Sequence, residues 1–142
     1  MRTNSRRFAT AGAVMTLAAS GLMVGVASPA SAATSCYASN CTGLDPAATI
    51  CANDATTVDI GFTGIELRYS PTCRAAWARR VGGVRGDSTT IKIANTNGQS
   101  YSKFVPDSAS GNYYTLMVND AGIQSQASEK FTNGGYSTTI LY

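Results

Sequence analysis

The residues closest to a catalytic arrangement are Asp59 and Glu66, with Arg68 two positions beyond. Both carboxylates fall on the polar side of an alternating stretch. A carboxylate pair can serve as acid and base when its two groups are held a fixed distance apart. An arginine beside them points instead to salt bridging. Asp59, Glu66 and Arg68 are therefore read as a structural ion-pair cluster, and no catalytic residue is assigned. The chain contains no histidine. The usual base for a serine or cysteine nucleophile is missing, and so is the commonest metal ligand. A carboxylate-dependent hydrolase is the least favoured functional reading.

Cys36, Cys41, Cys51 and Cys73 make an even count in a short chain. In an exported protein this reads as two disulfides. Three pairings are open, and spacing does not choose among them. A zinc site fits poorly, since no C-x-x-C knuckle occurs and no histidine can complete one. No metal and no cofactor is expected.

Binding residues are sought among the remaining cations and aromatics. Arg68, Arg74, Arg79, Arg80 and Arg85 lie close in sequence and could meet a phosphate, an acidic polymer or an acidic partner. A solvated face with local ion pairs is the plainer reading. Seven tyrosines suit a glycan- or peptide-binding sheet face, or ordinary packing at sheet edges. Arg74, Arg79, Tyr113 and Tyr114 are the candidate binding residues. Arg85-Gly86-Asp87 spells an adhesive tripeptide but reads as turn chemistry. Asp107–Asn112 lacks the closing glutamate of a calcium loop and also reads as a turn.

These residues must be positioned by short strands. Val58, Ile60 and Phe62 alternate with polar residues, and Ile65, Leu67 and Tyr69 do the same. A two-residue turn at Thr63-Gly64 would set Asp59 opposite Arg68. Thr72–Arg80 has helical spacing and predicts one short α-helix with Thr72 as its cap. Asn97-Gly98 predicts a hairpin joining Thr89–Asn95 to Ser100–Val105. Further strands are expected near Tyr113–Val118, Ile123–Phe131 and Tyr136–Leu141. The fold class is mainly β: a small antiparallel barrel or sandwich, disulfide-stabilised, with one helix near residues 72–80.

The first 32 residues read as a cleavable secretory signal. Arg2, Arg6 and Arg7 precede an uncharged stretch from Phe8 to Val26, and Ala30 and Ala32 form a small-x-small site. The arginine pair hints at the twin-arginine route, with general secretion as the default. Residues 33–142 are then a single secreted domain, with no membrane attachment after cleavage. The whole chain carries +3, but the expected mature part has eight basic against eight acidic side chains. A nucleic-acid partner is not expected, because that binding needs a basic surplus.

Cys36, Cys41-Thr-Gly-Leu-Asp-Pro46 and Cys51, followed by Glu66-Leu-Arg-Tyr-Ser and Cys73-Arg-Ala-Ala-Trp-Ala, resemble the bacterial domain-of-unknown-function 2690 family. The resemblance covers Cys36 to Lys92. Ala38 stands where glycine is expected, which bears on the first cysteine loop. The resemblance implies an extracytoplasmic domain that senses or binds, and it carries no catalytic residue. The expected function is a non-enzymatic extracellular binding or sensing module for a cell-wall, glycan or protein ligand. The alternative is a small secreted inhibitor or effector that presents a braced loop such as Cys41–Cys51.

Overall fold

Alternating stretches of sequence become strands in the computed structural model, which describes residues 32–142. Residues 1–31 of the expected 32-residue signal lie outside the described residues. The strands are β1 (Thr56–Ile60), β2 (Glu66–Ser70), β3 (Ala75–Val81), β4 (Thr89–Asn95), β5 (Ser100–Val105), β6 (Asn112–Tyr114), β7 (Val118–Asn119), β8 (Ser125–Phe131) and β9 (Tyr136–Thr138). They form two antiparallel sheets. The first has the order β1-β2-β3-β6, with β7 also pairing β3; the second runs β5-β4-β8-β9. The arrangement is a sandwich and not a closed barrel.

Ile65, Leu67, Ala76 and Ala78 from the first sheet meet Ile91, Ile93, Val105 and Ala127 between the sheets, all fully buried. Burying a side chain such as Leu67 contributes about 1.5–3 kcal/mol. A second core lies on the opposite face of the first sheet. There Cys41, Cys51, Cys73, Ala75, Trp77 and Met117 pack beneath an N-terminal layer. That layer has no ladder of its own. It consists of 3-10 turns at Ala38–Cys41, Pro46–Ala48 and Ile50–Ala52. Asp45 and Thr49 cap the second and third turns by accepting backbone N–H bonds from Ala47 and Cys51.

The expected helix over residues 72–80 is not there. Ala75–Val81 is the central strand of the first sheet, paired with β2 on one side and with β6 and β7 on the other. Both faces of β3 are covered, so small apolar residues occupy both parities and the alternation vanishes from the sequence. Thr72 caps nothing. Its N–H donates to Asp54 at 2.8 Å within the β2–β3 turn. Cys73, in that turn, and Trp77, in the strand, still reach the same core.

The first hairpin also departs from expectation. Its turn runs from Gly61 to Ile65, closed by Gly61 N–H to Ile65 C=O at 2.8 Å. A β-bulge between Thr57 and Asp59 shifts the register. Thr57 then faces Arg68, and Asp59 faces Leu67. The Asn97-Gly98 hairpin forms with the expected strands.

The disulfides are Cys36–Cys41 and Cys51–Cys73, with Cα separations of 5.1 and 5.5 Å. Ala38 lies inside the smaller ring at φ +50°. A left-handed backbone favours glycine, which accounts for the residue expected there. Replacing Cys51 and Cys73 together by alanine should cost about 3 kcal/mol, because that bridge closes the longer loop. The same change at Cys36 and Cys41 should cost less. Chemical denaturation of both double variants checks the order, and equal losses would contradict it.

Candidate functional site

Two cross-strand rungs on the outer face of the first sheet build the site. Thr57, Arg68 and Trp77 line up across β1, β2 and β3. Glu66, Arg79 and Tyr114 line up across β2, β3 and β6. Glu66 pairs with Arg79 at 2.6 Å. The same Glu66 oxygen accepts from Thr57 Oγ1 at 2.7 Å. Arg68 donates to Thr57 Oγ1 at 2.8 Å and to the Ala55 carbonyl at 2.7 Å. One carboxylate therefore sits among two guanidinium groups, and Arg68 makes no ion pair among the described residues. Burial draws the Arg68 guanidinium below its ordinary value, Arg79 adds to this, and Glu66 opposes it.

Beside these rungs the N-terminal layer leaves a cleft of about 160 Å³. Pro46, Ala47 and Ala52 come from that layer; Arg68, Trp77, Arg79, Asn112 and Tyr114 come from the strands. Trp77 is only 3% exposed, so it offers no open stacking face. No carboxylate lines the cleft. Two guanidinium groups, a mostly buried indole and a tyrosine suit an anionic group attached to an apolar or sugar-like body.

A different surface is the turn after β1. Phe62 is fully exposed at its tip. The backbone around it is clamped. Thr63 N–H donates to Ser137 Oγ at 3.2 Å, Thr63 Oγ1 to Glu129 at 2.6 Å, and Arg80 Nη1 to the Thr63 carbonyl. Arg80 and Glu129 form a buried ion pair at 3.1 Å that links β3 to β8. A Cβ on Gly61 would lie 2.6 Å from Ile65 Cγ2, so only glycine fits there.

The residues singled out from sequence divide among these places. Arg79 and Tyr114 line the cleft, and Tyr113 lines its neighbour. Arg74 is elsewhere, in the β2–β3 turn at φ +51°. Asp59 does not meet Arg68; the bulge turns its carboxylate to the Ile140 N–H at 2.8 Å. Glu66 finds Arg79 across the β2–β3 ladder. In the Arg85-Gly86-Asp87 turn, Asp87 accepts from Thr132. Trp77 as a cleft residue and the Arg80–Glu129 pair escaped the sequence reading. The inward parity of Ser125, Ala127, Glu129 and Phe131 was the available sign of a partnered buried acid.

Fold and site together define a small disulfide-braced β-sandwich with a cationic cleft over one sheet. The chain belongs to the family described as a protein of unknown function, DUF2690, which matches residues 39–128 and includes every residue lining the cleft. No curated protein and no solved structure matches the chain.

Asp120 supplies a titration in the physiological range. Its carboxylate is buried and accepts from Ser125 Oγ at 2.6 Å. Burial pushes it up to about 6, against the Ser125 bond and the charge of Arg74. Its ionisation therefore opposes folding. The contribution to stability is whole below about pH 4 and falls as pH rises to about 6. Asp120→Asn should flatten that slope and stabilise the protein at pH 7 by on the order of 2 kcal/mol. Melting temperatures of both proteins across that pH range check it; parallel profiles would contradict it.

Proposed function

We propose that this protein is a secreted, non-enzymatic binding module that takes its ligand in the cleft of Arg68, Trp77, Arg79 and Tyr114 through an anionic group. The observation that carries this is the charge balance at the cleft: two guanidinium groups against the single carboxylate of Glu66. The carboxylates of the domain support the same reading. Each accepts at least one hydrogen bond within the fold, from Asp45 at a turn cap to Glu129 between the sheets. They act as structural acceptors, so acid–base chemistry is not their best use. A cell-wall or other extracellular glycan bearing phosphate or carboxylate fits the cleft chemistry. A nucleic acid fits less well, because the expected mature domain has no basic surplus.

Calorimetric titration of the purified protein with glycerol phosphate tests the reading. Arg68→Met should weaken binding about ten- to hundredfold, the worth of one charge-assisted contact. Glu66→Gln separates site from scaffold. It should lower stability by about 1–2 kcal/mol, between the values for exposed and buried pairs. It should also tighten binding of the anion, since the opposing charge is gone. Unchanged affinity in both variants would refute the proposal.

The clamped Phe62 turn favours a second reading, an effector or inhibitor of a protein partner. A rigid, fully exposed aromatic is the kind of anchor that fills a partner's apolar pocket. The Cys41–Cys51 segment suits this less, since Cys41, Pro46, Thr49 and Cys51 are buried against the sheet. Phe62→Ser should leave stability within about 0.5 kcal/mol while abolishing retention of a partner from culture medium. Parent protein that retains no partner would sink this reading.

A further inference from the structure

The first cleft is small. At about 160 Å³ it lies below the roughly 300–1,000 Å³ that ordinary ligands occupy. It does not stand alone. A second cleft of about 550 Å³ adjoins it, and Asn112 and Tyr114 line both. A molecule seated over Arg68 and Arg79 therefore continues past Tyr114 into the space beside β5. Lys103 lines that second space, with Ser102 and Tyr113 supplying hydroxyls. Strands lie about 4.8 Å apart, so the distance from β2 to β6 alone is about 10 Å. Cations stand at both ends of this path and aromatic and hydroxyl groups between them.

The charge along the path is sparse. Arg68, Arg79 and Lys103 are the cations. Asp45 lines the second cleft, where it caps a turn by accepting from Ala47 N–H, and Glu66 lies against Arg79. A surplus of one positive charge spread over two clefts does not match a dense polyanion. It matches a chain whose negative groups are separated by hydroxyl-rich units.

Building on the cleft reading above, we infer that the two clefts form one groove for a linear acidic polymer, with polyol or sugar units spaced by phosphate or carboxylate groups. Arg68 and Arg79 hold one anionic group, Tyr114 packs against the spacer, and Lys103 holds the next group along the chain. Each unit binds weakly, and the groove gains by holding neighbouring units at once, as linked sites do.

The test is titration of the purified full-length secreted product with glycerol phosphate and its oligomers of increasing length. Oligogalacturonates of matched length report the carboxylate form. A neutral chito-oligosaccharide and an oligothymidylate serve as controls. Affinity should rise at least about tenfold from the single unit to chains that reach both clefts. The oligomer series that shows this rise identifies phosphate or carboxylate as the charged group. Lys103→Met should bring the ratio of long-chain to single-unit affinity towards one, and Arg68→Met should weaken every length. Arg68-dependent binding that does not grow with length overturns the groove and leaves the cleft reading standing. Equal affinity for oligothymidylate, or a length effect that survives Lys103→Met, also overturns it. Failure of every probe to bind overturns both readings.

Discussion

The Cys51–Cys73 bridge holds the N-terminal layer against the outer face of the first sheet, and most of the architecture follows from that attachment. The layer contributes no ladder, so its hold comes from point contacts. Ala38 N–H reaches the Cys73 carbonyl at 2.7 Å, and Gly43 N–H reaches Met117 at 2.9 Å. Met117 N–H returns a bond to Leu44 at 3.0 Å. Each is individually modest. The disulfide keeps the layer close enough for all of them to form together. With it in place Trp77 loses its solvent and the first sheet becomes a middle layer between two cores. The cleft exists because the layer covers the sheet incompletely, ending where Pro46, Ala47 and Ala52 meet the arginines of β2 and β3.

Charge is balanced over the expected mature domain but not over its surface. The acids serve as hydrogen-bond acceptors at turns, caps and sheet edges, and among the described residues only Glu66 and Glu129 make ion pairs. The cations are freer. Among the described residues, Arg68, Lys92, Lys103 and Lys130 line three clefts with no carboxylate bonded to them. A net charge of zero thus coexists with locally positive surfaces, which a composition count cannot reveal.

What the sequence made legible follows the same physics. The hairpin from Thr89 to Val105 was readable in full, because Asn97-Gly98 dictates the turn and one face of each strand meets solvent. The general class was readable from short alternating runs and paired cysteines. Ala75–Val81 was not, because a strand buried on both faces carries no alternation, and an alanine-rich run then looks helical. The first hairpin was misread because a bulge leaves no mark on the pattern of apolar residues around Val58. Arg79 and Tyr114 were found as candidates by type, yet their meeting depends on β3 being a strand. Trp77 was lost to the site by the same error. Ala38 is the converse case: a residue out of place in the family pattern marked the first cysteine loop, and the structure shows a left-handed backbone there.

The buried Arg80–Glu129 pair is best understood by what it positions. Taking two charges from water seldom adds net stability, and apolar residues of similar volume often serve as well. This pair is also incompletely satisfied, since Glu129 Oε1 has no partner. Apolar replacements would fill the space but could not bond to Thr63. The glutamate accepts the Thr63 hydroxyl while the arginine donates to the Thr63 carbonyl, so one residue of the turn is gripped from both sheets at once. Ser137 holds the Thr63 N–H as well, which leaves the turn backbone no free group at that position. A turn that needed only to connect β1 to β2 would not require three fixed bonds at a single residue. The neighbour of that residue is Phe62, held in water by this fixed backbone. The ion pair is therefore better accounted for as a device for fixing the turn than as a contribution to the core.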